Sequence, residues 1–164
     1  MVTRRTFFSF HYKPDNWRAA QIRNMGMVEG NAPVSDNDWE SITRGGDSAI
    51  RRWIDSQMSG RSCAIVLVGS NTSGRKWINY EIEKAWNDGK GLLGIHIHNL
   101  KNVSGDQSAK GANPFYRLSV DGTRLSNIVH TYDPPYKLST YVYAYIKDNI
   151  SDWVEEAIRI RGKY

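Results

Sequence analysis

The chain predicts an α/β fold whose mainly parallel sheet is covered by helices on both faces. Three observations carry that expectation. Cys63-Ala64-Ile65-Val66-Leu67-Val68 is an unbroken apolar run of strand length. Gly91–Ile97 repeats the pattern, and between the two Arg75–Asn87 has the spacing of an amphipathic helix. Apolar strands that alternate with such helices require crossover connections, and right-handed crossovers leave few topologies.

The elements follow in order. Arg5–Phe10 is aromatic-rich and reads as a first, central strand, which Pro14-Asp15 ends. Trp17–Met25 reads as a short helix with Asp15 or Asn16 as its cap. Gly26–Asp38 mixes Gly, Asn, Pro, Ser and Asp and reads as loop, with Met27-Val28-Glu29 a short edge strand at most. Gly45-Gly46-Asp47 opens a helix, Asp47 capping it. Its apolar stripe is Ala49, Ile50, Trp53, Ile54 and Met58, and Gly60 ends it. After strand Cys63–Val68, the polar turn Gly69–Gly74 leads into helix Arg75–Asn87, closed by Asp88-Gly89. Strand Gly91–Ile97 follows. Asn99–Ser126 is long and polar, which marks a functional loop or a hidden short element around Pro114-Phe115-Tyr116. Asn127–Thr131 is the fifth candidate strand. From Leu138 onward the chain is helical, with a break expected near Asn149–Ser151.

The bulk numbers narrow the classes. A length of 164 residues with 40% hydrophobic and 12% aromatic content predicts one domain over 1–164 with a real core, not a disordered chain. No apolar run approaches the roughly 20 residues of a membrane helix. The start, Met1-Val2-Thr3-Arg4-Arg5 and then Thr6–Phe10, is too short and too aromatic for a cleaved signal peptide. The single cysteine, Cys63, forbids an internal disulfide, reads as a buried inert thiol, and fits a reducing cytoplasm. The net charge of +5 is compatible with an anionic partner. The basic residues are scattered, however, with one tight cluster at Arg159, Arg161 and Lys163, so no nucleic-acid surface and no membrane surface is expected.

Helix geometry separates the two glutamates of the 75–87 helix. Successive residues turn by about 100°, and Ile78, Ile82 and Ala85 mark the buried centre. Glu81 lies roughly 60° from Ile78, on the border of the apolar face and on the side of Trp77. Glu83 lies about 140° round the other way, toward water. Glu81 is therefore placed for partial desolvation beside the carboxyl ends of the strands, where open α/β sheets bind ligands. The competing reading of Glu81 is a surface acid paired with Lys84 or Arg75. Other chemistry finds less support. The turn 69–74 carries no phosphate-binding glycine fingerprint. His96 and His98 have no partner at metal-ligand spacing, and no nucleophile elbow is present.

Several motifs resemble a known family. Thr6-Phe7-Phe8-Ser9-Phe10-His11-Tyr12 resembles the first strand and loop of Toll/interleukin-1 receptor (TIR) domains. Trp77-Ile78-Asn79-Tyr80-Glu81-Ile82 is similar to their W-x-x-x-E-[LI] helix motif. Gly45–Ile50, Arg52–Gln57, Asn79–Lys84 and Gly94–Asn99 resemble more closely the prokaryotic TIR-like branch that includes the TIR subunit of the Thoeris anti-phage defence system. The resemblance covers roughly residues 4 to 135. Ile78 stands where ordinary TIR domains usually have Cys, and the 99–126 segment is longer than theirs.

The resemblance implies a flavodoxin-like fold with a five-stranded parallel sheet. It implies cleavage of the nicotinamide–ribose bond of NAD+ and formation of an ADP-ribose-derived signal nucleotide that activates a separate effector. It places the catalytic role on Glu81 and the substrate-binding roles on Phe8, Ser9, Phe10, His11 and Trp77, while Asp36 and Asp38 stay undecided. NAD+ is then substrate, with no cofactor and no metal. The implied partners are the effector, reached through a diffusible nucleotide, a phage trigger, and further copies of the chain, in the cytoplasm. The alternative is a non-catalytic TIR-like interaction or nucleotide-binding module. A phosphorylated receiver domain shares the fold class, but it needs an aspartate where this chain has Val68-Gly69-Ser70.

Overall fold

The computed structural model of the protein describes residues 3 to 164; Met1 and Val2, the first residues of the stretch weighed above as a leader, lie outside it. In chain order the elements are β1 (Thr6–Ser9), α1 (Tyr12–Asn24), α2 (Asp36–Arg44), α3 (Gly46–Met58), β2 (Cys63–Val68), α4 (Lys76–Asn87) and β3 (Gly91–His96). A small hairpin follows, β4 (Ser119–Val120) and β5 (Thr123–Arg124), then a 3-10 turn over Leu125–Asn127, β6 (Thr131–Tyr132) and α5 (Ser139–Arg161). The main sheet is parallel throughout, in the order β1-β2-β3-β6.

Side-chain alternation along the strands builds two cores. Phe8, Ile65, Leu67, Leu93 and Ile95 face α1 and α5, meeting Ile22, Val142, Ile146 and Val154. Phe7, Ala64, Val66, Val68 and Leu92 face α3 and α4, meeting Ile50, Ile54, Ile78 and Ile82. Covering both faces is what permits β2 and β3 to be buried at every position. Cys63 lies fully inside, and burial pushes its thiol well above the ordinary range. No described helix is long and apolar enough to cross a membrane.

The main sheet has four strands among the described residues where five were expected. The segment Met27–Glu29 reaches the edge of β1 but makes only one parallel bridge, Arg5 to Glu29. Gly30 comes too close to the sheet to carry a side chain: a Cβ there would collide with the Phe8 ring. The next rung is taken by a side chain, with the Phe8 N–H donating to Asn31 Oδ1 at 2.9 Å. The last strand is also displaced, from Asn127–Thr131 to Thr131–Tyr132, because Leu125, Ile128 and Val129 turn inward as an apolar plug.

Three helical expectations are corrected. α1 begins at Tyr12, not Trp17. Pro14 falls in its first turn, where a missing N–H costs nothing, and Asp15 forms a buried ion pair with Arg18 instead of a cap. Gly45, not Asp47, is the N-cap of α3; Asp47 pairs with Lys76. α5 runs unbroken past Asn149, whose amide donates to Tyr145 O at 2.8 Å. The long 99–126 segment holds the β4–β5 hairpin, turning at Asp121-Gly122, and is anchored by the fully buried Phe115.

Candidate functional site

At the carboxyl ends of β1 and β2 lies a cleft of about 820 Å³. The β1–α1 junction delivers Phe10, His11 and Tyr12 to it. The β2–α4 turn delivers Ser70 and Asn71, and α4 delivers Trp77 and Glu81. Ser9, at the end of β1, supports Glu81 from below.

Glu81 sits where the helical wheel places it. It is 7% exposed, whereas Glu83 is exposed. Ser9 has the same strand parity as Phe7 and so points to the α4 side of the sheet. Its hydroxyl donates to Glu81 Oε1 at 2.6 Å. Burial outweighs that hydrogen bond and pushes the Glu81 carboxyl up to about 8. Near neutral pH the cleft thus holds a carboxylic acid ready to ionise when a cation enters.

The other expected positions divide. Phe10, His11 and Trp77 line the same cleft as Glu81. His11 is desolvated and lies near the Arg75 guanidinium. Both effects lower its pKa, and its buried Nδ1 has no hydrogen-bond partner among the described residues. Phe8 does not line this cleft. It packs on the α1 side at 2% exposure, beneath Arg23, and borders a separate cavity of about 50 Å³ that also reaches Glu81. Asp36 and Asp38 are exposed in the first turn of α2. Asp36 accepts a hydrogen bond from Tyr12 Oη at 3.2 Å. His96 and His98 are buried on β3 and just beyond it, their rings 5.8 Å apart. Desolvation lowers both, His96 to about 4. Among the described residues no three His, Cys, Asp or Glu side chains are grouped to hold a metal.

One wall of the cleft escapes a reading of the sequence. Trp39, on α2, stacks on Tyr12 with centroids 5.4 Å apart, and Tyr12 in turn stacks near Phe10 at 6.2 Å. The Tyr12 hydroxyl also donates to Val34 O, which ties the segment before α2 to the cleft. The local signal is Ser35-Asp36-Asn37-Asp38: Ser35 Oγ accepts the Asp38 N–H at 3.1 Å, a helix start written in four residues.

Comparison with known proteins identifies the family. The family model described as "Thoeris protein ThsB, TIR-like domain" matches residues 7–102, a span that takes in Ser9, Trp77 and Glu81. Over 133 residues the chain is 37% identical to the Bacillus cereus (strain MSX-D12) protein named "Putative cyclic ADP-D-ribose synthase ThsB1", the match covering 76% of this chain and 69% of that one. With the parallel sheet, the W-x-x-x-E helix and a match of this extent in hand, the chain belongs to the TIR-like family of the Thoeris protein ThsB.

Proposed function

We propose that this chain, as one domain over 1–164, cleaves the nicotinamide–ribose bond of NAD+ and converts the remainder into an ADP-ribose-derived nucleotide. That nucleotide would diffuse to and activate an effector protein in anti-phage defence. The single observation that carries the reading is Glu81, buried and held by Ser9 at the floor of a cleft large enough for a dinucleotide. The name of the Bacillus cereus relative, a cyclic ADP-D-ribose synthase, supports the same chemistry.

The chemistry needs one carboxylate. Glycosidases use two because the leaving oxygen must be protonated. The nicotinamide of NAD+ is already cationic. The C–N bonding pair leaves with the pyridine nitrogen, the ring departs neutral, and positive charge develops on the ribose. An ionised Glu81 stabilises that charge, and a preorganised carboxylate with little water around it does so far better than one in bulk solvent. Entry of the pyridinium favours loss of the Glu81 proton. Phe10, His11 and Trp77 border the reacting end, Ser9 fixes the carboxylate, and Phe8 supports the floor. A hydroxyl or ring nitrogen of the same molecule then attacks the ribosyl cation, forming the new bond to the anomeric carbon and releasing one proton to Glu81 or solvent, and excluding water decides between ring closure and hydrolysis. NAD+ is consumed as substrate and no resident cofactor or metal takes part. The reading places the protein in the cytoplasm, with a phage trigger and self-association as its controls.

Incubating purified protein with NAD+, with and without lysate of phage-infected cells, tests this. Nicotinamide and a product one water lighter than ADP-ribose are expected by mass spectrometry. No nicotinamide under either condition sinks the proposal.

The raised Glu81 pKa sets the pH profile. The carboxylate is the active form, so kcat/KM should rise with pH and level off above about 8. The limb in kcat should lie lower, because bound pyridinium favours the carboxylate. Ser9→Ala removes the hydrogen bond that opposes burial, so its kcat/KM limb should move to higher pH. An unmoved limb would separate Ser9 from the ionisation.

A further inference from the structure

A cavity of about 290 Å³ lies where the loop after β6 meets the first turns of α5, and it shares no residue with the cleft that holds Glu81. Tyr136, Tyr141, Ala144, Tyr145 and Asp148 line it. Four of these come from α5. Tyr141, Ala144, Tyr145, Asp148 and, one turn on, Asp152 recur every three or four residues, so they share one face of the helix. Val142, Ile146, Ile150 and Val154 occupy the other, buried face. Tyr136 closes the cavity from the loop. Its ring meets those of Tyr141 and Tyr145 with 5.8 Å between centroids and 65° between planes in each case.

The three rings stand as walls. Tyr145 leans on Trp153 at 5.8 Å, and Trp153 stacks on Tyr132 at 4.2 Å, which ties the cage to the core. The loop is pinned as well. Tyr136 O accepts Asn99 Nδ2 at 3.1 Å, while Gln107 Nε2 donates to both Asn99 O and Lys137 O. A site held in shape by its own fold loses little conformational freedom when it binds. Yet Tyr136 is 44% and Tyr141 56% exposed, so these ring faces stay open.

The charge around the cage is one-sided. Among the described residues no lysine or arginine lies over any of its three rings. Asp148 and Asp152 are exposed and form no ion pair among the described residues, whereas on the same helix Glu155 pairs with Arg4 and Glu156 with Arg159. The neighbouring Lys147 is turned about 100° round the helix from Asp148. Angled aromatic faces attract a cation, and a carboxylate at the lip supplies its counter-charge. Asp152 follows Asp148 by one helical turn, about 6 Å. That is close to the ~6.5–7 Å at which side chains on one face of an extended chain recur.

We propose that the Tyr136–Tyr141–Tyr145 cage docks an extended basic segment of a partner protein. One arginine or lysine enters the rings against Asp148, and the next but one meets Asp152. The alternating basic run of this chain's own tail is engaged elsewhere: Arg159 pairs with Glu156 and Arg161 donates to Trp86 O at 3.0 Å. The occupant is therefore a different protein, not a second copy. The inference is independent of the NAD+ reading, because none of these residues lines that cleft.

Fluorescence anisotropy of a labelled pentapeptide, with arginine at its second and fourth positions and glycine elsewhere, tests this on the full chain. Saturable binding that weakens with salt is expected. Tyr136→Ala combined with Tyr141→Ala should weaken it about tenfold. Tyr136→Phe combined with Tyr141→Phe should bind like wild type, since the rings remain. Asp148→Asn combined with Asp152→Asn should also weaken binding and flatten the salt dependence. With the two arginines adjacent in the peptide, Asp152→Asn alone should have no effect. Tyr136 and Tyr141 are largely exposed, so the alanine pair keeps the fold, which a melting curve checks; should it melt early, the phenylalanine and asparagine pairs carry the test. Absence of saturable binding, or binding that the alanine pair leaves unchanged, overturns the proposal. Binding of tetramethylammonium without the peptide would make the cage a small-cation site and overturn it too. A dimer in sedimentation that the alanine pair dissolves would assign this face to a second copy instead.

Discussion

Glu81→Gln is expected to lower nicotinamide release by at least about 10²-fold to 10³-fold and, at alkaline pH, to make the protein more stable. The two outcomes have one cause. Burial lifts the Glu81 carboxyl from 4.5 to about 8 in the folded chain. Between those values the native state keeps a proton that the unfolded state has released. Stability therefore falls as pH rises through this window, and the loss is complete above about 8. Each pKa unit corresponds to about 1.4 kcal/mol. Glutamine has the same shape and still accepts the Ser9 hydroxyl, but it never ionises. The melting temperature of the variant should match wild type near pH ~5 and exceed it near pH ~9, with activity lost at both. A site that gains stability when its charge is removed is storing an unfavourable charge for use on a cation. If Glu81→Gln protein still releases nicotinamide at the wild-type rate, Glu81 is not the catalytic carboxylate; if it melts lower than wild type at alkaline pH, burial is not what holds the carboxyl protonated.

How much of the molecule is legible in its sequence depends on what each segment buries. β2 and α4 are plain because both contribute to the core: Cys63–Val68 is apolar throughout, and Ile78, Ile82 and Ala85 fall on one helical face. That face also separates Glu81 from Glu83, since one turn of helix converts sequence spacing into direction. α2 escapes because none of its residues is fully buried, Trp39 and Ile42 being covered only in part, and the cap at Ser35 is its clearest local mark. The start of α1 is hidden because Pro14 looks like a breaker unless the helix start is already known. Asn149 suggests a break because a polar residue in a helix usually competes with the backbone. Here its amide instead donates to Tyr145 O. The aromatic column is tertiary: Phe10, Tyr12 and Trp39 meet only after α1 and α2 have folded back on β1, so no periodicity joins them. At the β1 edge Met27–Glu29, read as a short edge strand at most, makes a single bridge, and the next rung goes to a side chain, Asn31, which takes the Phe8 N–H.

Asp15→Ala should produce the largest loss of stability, about 3–5 kcal/mol. Asp15 and Arg18 are 2% and 3% exposed, with Oδ1 and Nη1 2.8 Å apart. Arg18 also donates to Leu100 O at 2.7 Å and to Asp106 O at 2.9 Å, so the pair pins the 99–112 segment to α1. On its other side Asp15 presses on Gly69 at the end of β2, where a Cβ would collide with the carboxylate. Gly111 lies against the same glycine, and Ala112 next to it lines the cleft. Removing the carboxylate strands a guanidinium charge in the interior. Removing both charges should cost less than removing one, because a buried pair stabilises weakly while a buried lone ion is expensive. Thermal unfolding of Asp15→Ala should drop by about 10 °C, and Asp15→Ala combined with Arg18→Met should recover part of it. The segment so loosened forms one lip of the cleft. Water then reaches the ribosyl cation more easily, and the ratio of ADP-ribose to cyclised product should rise in Asp15→Ala even below its melting temperature. Asp15→Ala protein that melts like wild type would show the pair to be dispensable. An unchanged product ratio in a destabilised variant would separate the segment from the chemistry.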